Sequence, residues 1–245
     1  MIWTALLLIG VGVTDLVFSV RPMRHLPEVI GAALAVLLGL ASDLTDPESL
    51  LMLALIAVIV LAWGQAVTRG FASGRTWVPL LVFGAGLALM LVYSPLDANA
   101  DGAIGWWLEV TPLGVLAGLR PEQALLLAGV MLCQLSTGNV LVRLVLSATG
   151  TSNPARAAGR SAPSYRLKGG RLLGPMERVF IVGLGLAGEL TAASVVVAAK
   201  GLLRWPELQA AREERGPGIH VVTEYFLVGS FVSWTLALGS LVLLA

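Results

Sequence analysis

Cysteine, histidine and charge are all scarce in this chain, and each scarcity excludes something. Cys133 is the single cysteine, so neither a disulfide framework nor a cysteine metal site can be assembled, and it reads as a small packed residue. The two histidines, His25 and His220, are expected on opposite sides of the membrane, which leaves no compact histidine metal site. No metal and no cofactor is expected. Only 13% of residues are charged, against about 25% in ordinary globular domains. The net charge of +1 offers no electrostatic footprint for a nucleic acid, and no nucleic-acid partner is expected.

What is abundant is apolar surface, at 57% of residues. A soluble core cannot use that much. The apolar residues come in runs near the roughly 20 residues that cross about 30 Å of hydrocarbon. Seven such runs can be traced: Ile2 to Val20, Val29 to Ser42, Ser49 to Val67, Trp77 to Ser94, Glu122 to Ser147, Met176 to Leu203 and Val221 to Leu244. The expected fold class is an all-α integral membrane protein, a bundle of about seven transmembrane helices, or six if the short second run does not cross. The first run has no basic segment before it and no small-residue cleavage site after it, so it is expected to stay as a membrane anchor.

Orientation follows from basic residues, which dominate cytoplasmic loops. With the N-terminus outside, eleven of the sixteen Lys and Arg fall on the cytoplasmic side, and Arg120, Lys200, Arg204, Arg212 and Arg215 fall on the other. That split favours N-out and C-in, and the localisation expected is a bacterial inner (plasma) membrane, multi-pass.

Three regions are expected. Residues 1–148 form a five-span membrane region, 149–172 a basic cytoplasmic linker, and 173–245 a two-span hairpin. The linker stretch TGTSNPARAAGRSAPSYRLK is free of acids and obeys the charge rule for cytoplasmic loops, although it could also bind anionic headgroups or a phosphate. A second interruption, GWWLEVTPLGVLAGLRPE, is too apolar for a solvated loop. It reads as a flat interfacial helix with Trp106 and Trp107 at headgroup depth, a re-entrant half-helix being the alternative.

Glu189 lies in the middle of the sixth run, which is 28 residues long. A lone charge at the bilayer centre costs several kcal/mol, so it marks a bundle interior or a pathway. Arg178, Glu189 and Lys200, spaced by eleven residues, lie on one stripe of the sixth span, because eleven steps of about 100° return to within roughly 20°. The two cations would snorkel to opposite surfaces and leave Glu189 to be protonated, hydrated or met by another span. Partners are proposed from the centre of the fifth run, CQLSTGN, which carries Gln134, Ser136, Thr137 and Asn139, with Arg143 one turn on. Asp15 in the first run is a second buried acid, and Arg143 could be its partner instead. A structural polar network explains these residues as well as a transport path does. Glu189, Gln134, Asn139, Arg143 and Asp15 are the candidate substrate or ion pathway.

A second cluster lies where the last two runs leave and re-enter the membrane, with Lys200 and Arg204 on one and Glu224 on the other. An ion pair of Lys200 with Glu224 is the simplest arrangement. Gly183, Gly185 and Gly188 match a dinucleotide fingerprint, but no alternation of strand and helix surrounds them. They read as small residues that let helices approach closely.

The segments Gly170-Arg171-Leu172-Leu173-Gly174-Pro175-Met176-Glu177-Arg178, Ala198-Ala199-Lys200 with Arg204, and Glu224-Tyr225 with Gly229 and Ser233 resemble a family of bacterial multi-pass membrane proteins that is known as a domain of unknown function. The resemblance is confined to the C-terminal third. It implies no activity, and it marks Glu177, Arg178, Lys200, Arg204 and Glu224, an interface charge cluster, as residues to test. The first run departs from the family pattern, since Asp15 stands in Val13-Thr14-Asp15-Leu16 without the family's histidine.

Three classes of function remain. The first is a small transporter or channel-like protein with a membrane-buried carboxylate site. The second is a non-catalytic subunit of a larger membrane complex, and the third an enzyme on a lipid-linked phosphate, which lacks any catalytic constellation. An enzyme is the least favoured and no catalytic residue is assigned. The partners expected are membrane lipids, with other membrane subunits or further copies of the chain.

Overall fold

The structure, a computed structural model, describes residues 1–94, 100–114, 118–151, 170–213 and 219–245; side chains at 170, 171, 200, 203–213 and 219–222 lie outside that description. Ten helices account for the described residues: α1 (Ile2–Val20), α2 (Leu26–Ala41), α3 (Pro47–Ser73), α4 (Trp77–Val92), α5 (Gly102–Val110), α6 (Pro121–Leu135), α7 (Thr137–Ala148), α8 (Gly170–Leu186), α9 (Leu190–Glu213) and α10 (Ile219–Leu244). The all-helical class is thus as expected.

The span count differs from the seven expected. Among the described residues three helices are long and apolar enough to cross a membrane, Ile2–Val20, Pro47–Ser73 and Thr223–Leu244, and the bent pair α6 and α7 makes a fourth. The reason is length. Helices α2 and α4 each have 16 residues, which at 1.5 Å per residue reach about 24 Å, short of the roughly 30 Å core. The sixth run is split into α8 and α9. The segment around Trp106 forms α5, nine residues long and too short to cross, with Trp106 and Trp107 exposed.

Local chemistry sets most boundaries. Arg21 turns extended as α1 ends, as the residue before Pro22 must. Asp46 caps α3, accepting a hydrogen bond from the Ser49 backbone N–H at 2.9 Å, with Pro47 in the first turn and Gly74 at φ 75° closing the far end. Pro121 opens α6, with the Gln123 side chain accepting from the Arg120 N–H at 3.1 Å.

Residues Met1–Thr137 form one compact unit and Gly138–Leu243 another, so α7 from Gly138 onward belongs with α8 to α10, and Thr137 with the first unit. The N-terminal helix α1 is the centre of the first unit, touching α2, α3, α4 and α6, and it is buried on every side from Ile2 to Gly12. Small residues permit this. A Cβ at Gly12 would stand 2.8 Å from the Leu132 Cβ on α6, and Gly31 on α2 presses against the Thr14 hydroxyl and the Gly10 carbonyl of α1.

In the second unit Leu144, Ile181, Val182 and Ala237 are core residues of α7, α8 and α10. Gly229 of α10 faces Leu146 and Val142 of α7, and Gly185 of α8 receives Leu241 of α10.

Candidate functional site

The polar centre of the fifth run is where its helix breaks. Between α6 and α7 the axis turns by 50° at Ser136. The Ser136 hydroxyl lies 2.8 Å from the Leu132 carbonyl, one turn back, and 2.7 Å from the Gly12 carbonyl of α1. A hydroxyl that holds carbonyls of its own turn and of a neighbour is a recognised way to stabilise a helix break inside a bundle. Gln134, Ser136 and Thr137 are all buried there.

Asp15 of α1 is buried beside this break. Trp63 of α3 donates its indole N–H between both carboxyl oxygens, at 3.3 and 3.2 Å. The indole is itself wholly buried and tilted against Phe83 of α4, with centroids 5.4 Å apart, so its direction is set by packing. Thr137 comes close to the same carboxyl from α7, and Cys133 of α6 lies near it while pointing its thiol at the Leu8 carbonyl, 3.3 Å away. A carboxyl held by an indole donor, with the Thr137 hydroxyl close by at a broken helix, can take up a proton or a small cation.

The second unit has its own buried charge. Arg178 of α8 is 1% exposed. Its guanidinium donates from Nη1 to the Ser233 hydroxyl of α10 at 3.2 Å and from Nη2 to Asn139 Oδ1 of α7 at 3.0 Å. It lies flat on Gly138, where a Cβ would meet Nε at 2.6 Å. The preceding residue, Glu177, is buried too and accepts the Trp234 indole N–H at 2.6 Å. Consecutive helical residues point about 100° apart, so Glu177 and Arg178 together reach consecutive residues of α10. The Glu177 carboxylate also acts electrostatically on the guanidinium beside it. The expectation that Arg178 snorkels to a membrane surface is therefore corrected: burial among three helices satisfies its donors internally.

The shared stripe of Arg178, Glu189 and Lys200 is corrected as well, because no continuous helix joins them. Gly188 takes φ 78°, its N–H bonds the Gly185 carbonyl at 3.1 Å, and the Glu189 N–H bonds the Leu184 carbonyl at 2.8 Å. This is the six-to-one and five-to-two pattern of a Schellman stop. Glu189 is exposed at the start of α9. Of its proposed partners, Asn139 serves Arg178 and Gln134 is buried at the α6–α7 break. Arg143 is exposed on α7, whereas Asp15 lies in the first unit with Trp63. Glu224 is exposed and accepts from the Thr151 hydroxyl at 3.5 Å, while the side chains of Lys200, Arg204 and His220 lie outside the described residues.

Trp63 and Trp234 are functional candidates that the sequence reading missed. Each interrupts an aliphatic run with an indole N–H that a bilayer core cannot satisfy, and an acid on another helix was the signal. A scan against models of protein families and searches of curated proteins and of solved structures find no match.

Proposed function

We propose that this protein is a small multi-pass transporter or channel-like protein of the inner membrane, with Asp15 as its membrane-buried coupling carboxyl. The observation that carries this reading is the placement of that carboxyl, held by the Trp63 indole, beside the break between α6 and α7. Discontinuous helices next to a buried acid are how secondary transporters expose ion-binding groups at membrane depth. Glu189, exposed at the start of α9, is a second candidate carboxyl of this reading.

The reading includes an N-out, C-in topology with seven crossings. The short α2 and α4 cross where the bilayer thins around them, and α8 and α9 together make one broken span. The resemblance of the C-terminal third to the domain of unknown function belongs to the same proposal.

Proteoliposomes loaded with a pH dye and assayed for proton, sodium and potassium flux test it. Asp15→Asn is expected to abolish the flux with little change in thermal midpoint. Undiminished flux in that variant removes Asp15 from the mechanism.

A second reading, a non-catalytic subunit of a membrane complex, is favoured by one observation: Glu189 is exposed on an otherwise apolar helix turn. Native mass spectrometry of gently extracted protein decides between them. Stoichiometric foreign subunits lost in Glu189→Gln would replace the transport reading.

A further inference from the structure

The transport reading leaves open how a proton gets to a carboxyl buried in the middle of the first unit. We infer that Asp15 is loaded from the α1–α2 edge of the first unit, through His25 and then Glu28, and this inference rests on Asp15 being the coupling group.

His25 stands at the start of α2, on the edge that carries Arg21 and Arg24. Its side chain is 56% exposed, and its Nδ1 lies 3.2 Å from Glu28 Oε1. It also holds φ 64°, in the left-handed region where histidine is among the few non-glycine residues found more often. Glu28 differs from an ordinary helix-start glutamate in one respect. Its side chain is only 9% exposed, because its stem lies on the bare backbone of Gly64 in α3, where a Cβ would meet the Glu28 Cβ at 2.8 Å. A capping acid needs only the helix end. This one is drawn in between α2 and α3.

Glu28 and Asp15 are linked through two pairs of neighbouring residues. Gly64 follows Trp63, whose indole donates to Asp15. Gly31, one turn beyond Glu28 on α2, presses on the Thr14 hydroxyl, and Thr14 precedes Asp15. Thr14 gives its own proton to the Gly10 carbonyl at 2.8 Å, which leaves its oxygen lone pairs open to a water molecule.

The route is an ordered proton transfer. The Nδ1–H bond of the His25 imidazolium breaks as an O–H bond forms on Glu28 Oε1, leaving His25 neutral with its Nε2 proton. The Glu28 O–H then breaks as a water molecule accepts that proton and gives one of its own to Asp15. Histidine suits the outer position because its two ring nitrogens can take a proton on one side and release one on the other. Around Asp15 the further titratable residues on the packed helices are few. Helix α4 has none, α6 has Cys133 and, at its start, Glu122, and α3 has Glu48 and Arg69 away from Trp63.

The test is time-resolved infrared spectroscopy of the full-length protein in liposomes after a pH jump, following the carboxylic C=O band that Asp15→Asn removes. Glu28→Gln is expected to slow protonation of Asp15 by about 100-fold, the range for losing one positioned proton donor, without changing the final amplitude. His25→Asn, which keeps a residue type suited to the left-handed backbone there, is expected to slow it as well and to recover when imidazole is added to the medium. Imidazole is not expected to rescue Glu28→Gln. Wild-type protonation rates in both variants overturn the route, whatever Asp15→Asn does to flux. Undiminished flux in Asp15→Asn would instead sink the transport reading, and a band that never titrates would sink both.

Discussion

Asp15 and Arg178 are both charged side chains taken out of water, and neighbours of different kinds receive them. Asp15 accepts the Trp63 indole N–H with Thr137 close to the same carboxyl, whereas Arg178 spends donors on an amide and a hydroxyl from two other helices. An arginine fixed in this way ties three helices together. Arg178→Ala leaves Asn139 and Ser233 facing a cavity and Glu177 without its cationic neighbour, so it is expected to cost about 3–5 kcal/mol. Thermal unfolding in detergent measures this against Glu109→Gln, an exposed change expected to stay within about 0.5 kcal/mol. A loss under about 1 kcal/mol for Arg178→Ala would mean the network is not structural. Burial of Arg178 was not legible in the sequence because its partners, Asn139 and Ser233, are 39 and 55 residues away. Its position near the end of an apolar run suggested snorkelling instead.

At the scale of an element, the sixth run shows how one glycine overrides a long apolar pattern. Gly188 at φ 78° ends α8, and any side chain there is strained. Gly183, in the same motif, is inside the helix with nothing within 4 Å of an added Cβ. Gly188→Ala is therefore expected to destabilise by about 1 kcal/mol and Gly183→Ala to be neutral or stabilising by about 0.5–1 kcal/mol, as read from paired thermal midpoints. Equal effects would argue against the stop. The three glycines of the motif were visible from the sequence, but which of them ends the helix depended on backbone conformation that an apolar run does not specify.

The α3 cap offers a pH test at an exposed site. The Ser49 backbone N–H holds the Asp46 carboxyl below its ordinary value. A lowered folded value means the cap contributes fully above the unfolded value near 3.9 and is lost as pH falls through the lowered one. Wild type and Asp46→Ala should differ in thermal midpoint at neutral pH and converge as the pH drops below that range. A difference that persists in acid would assign the cap's effect to something other than the carboxylate.

For the whole molecule, the proposed N-out, C-in arrangement puts the α3–α4 turn inside and α5 outside. In a Cys133→Ser background, Ser73→Cys should react with an impermeant maleimide only in inverted vesicles, and Glu109→Cys only in right-side-out cells. Labelling of both from one side would remove the α4 crossing. Helix α4 is the test because it is apolar yet has only 16 residues.

The all-helical class was legible in the long apolar runs of a chain with 57% apolar and 13% charged residues, whereas the number of helices long enough to cross a membrane was not. The local stops at Asp46–Pro47 and Arg21–Pro22 were likewise written in neighbouring residues. The tertiary structure alone decided which polar groups meet. Asp15 finds Trp63 on α3, and Arg178 finds Asn139 and Ser233 on α7 and α10. The physical reason is that helical periodicity fixes neighbours three or four residues apart, while a buried polar group in a bundle takes its partner from another helix, at a separation no local pattern encodes.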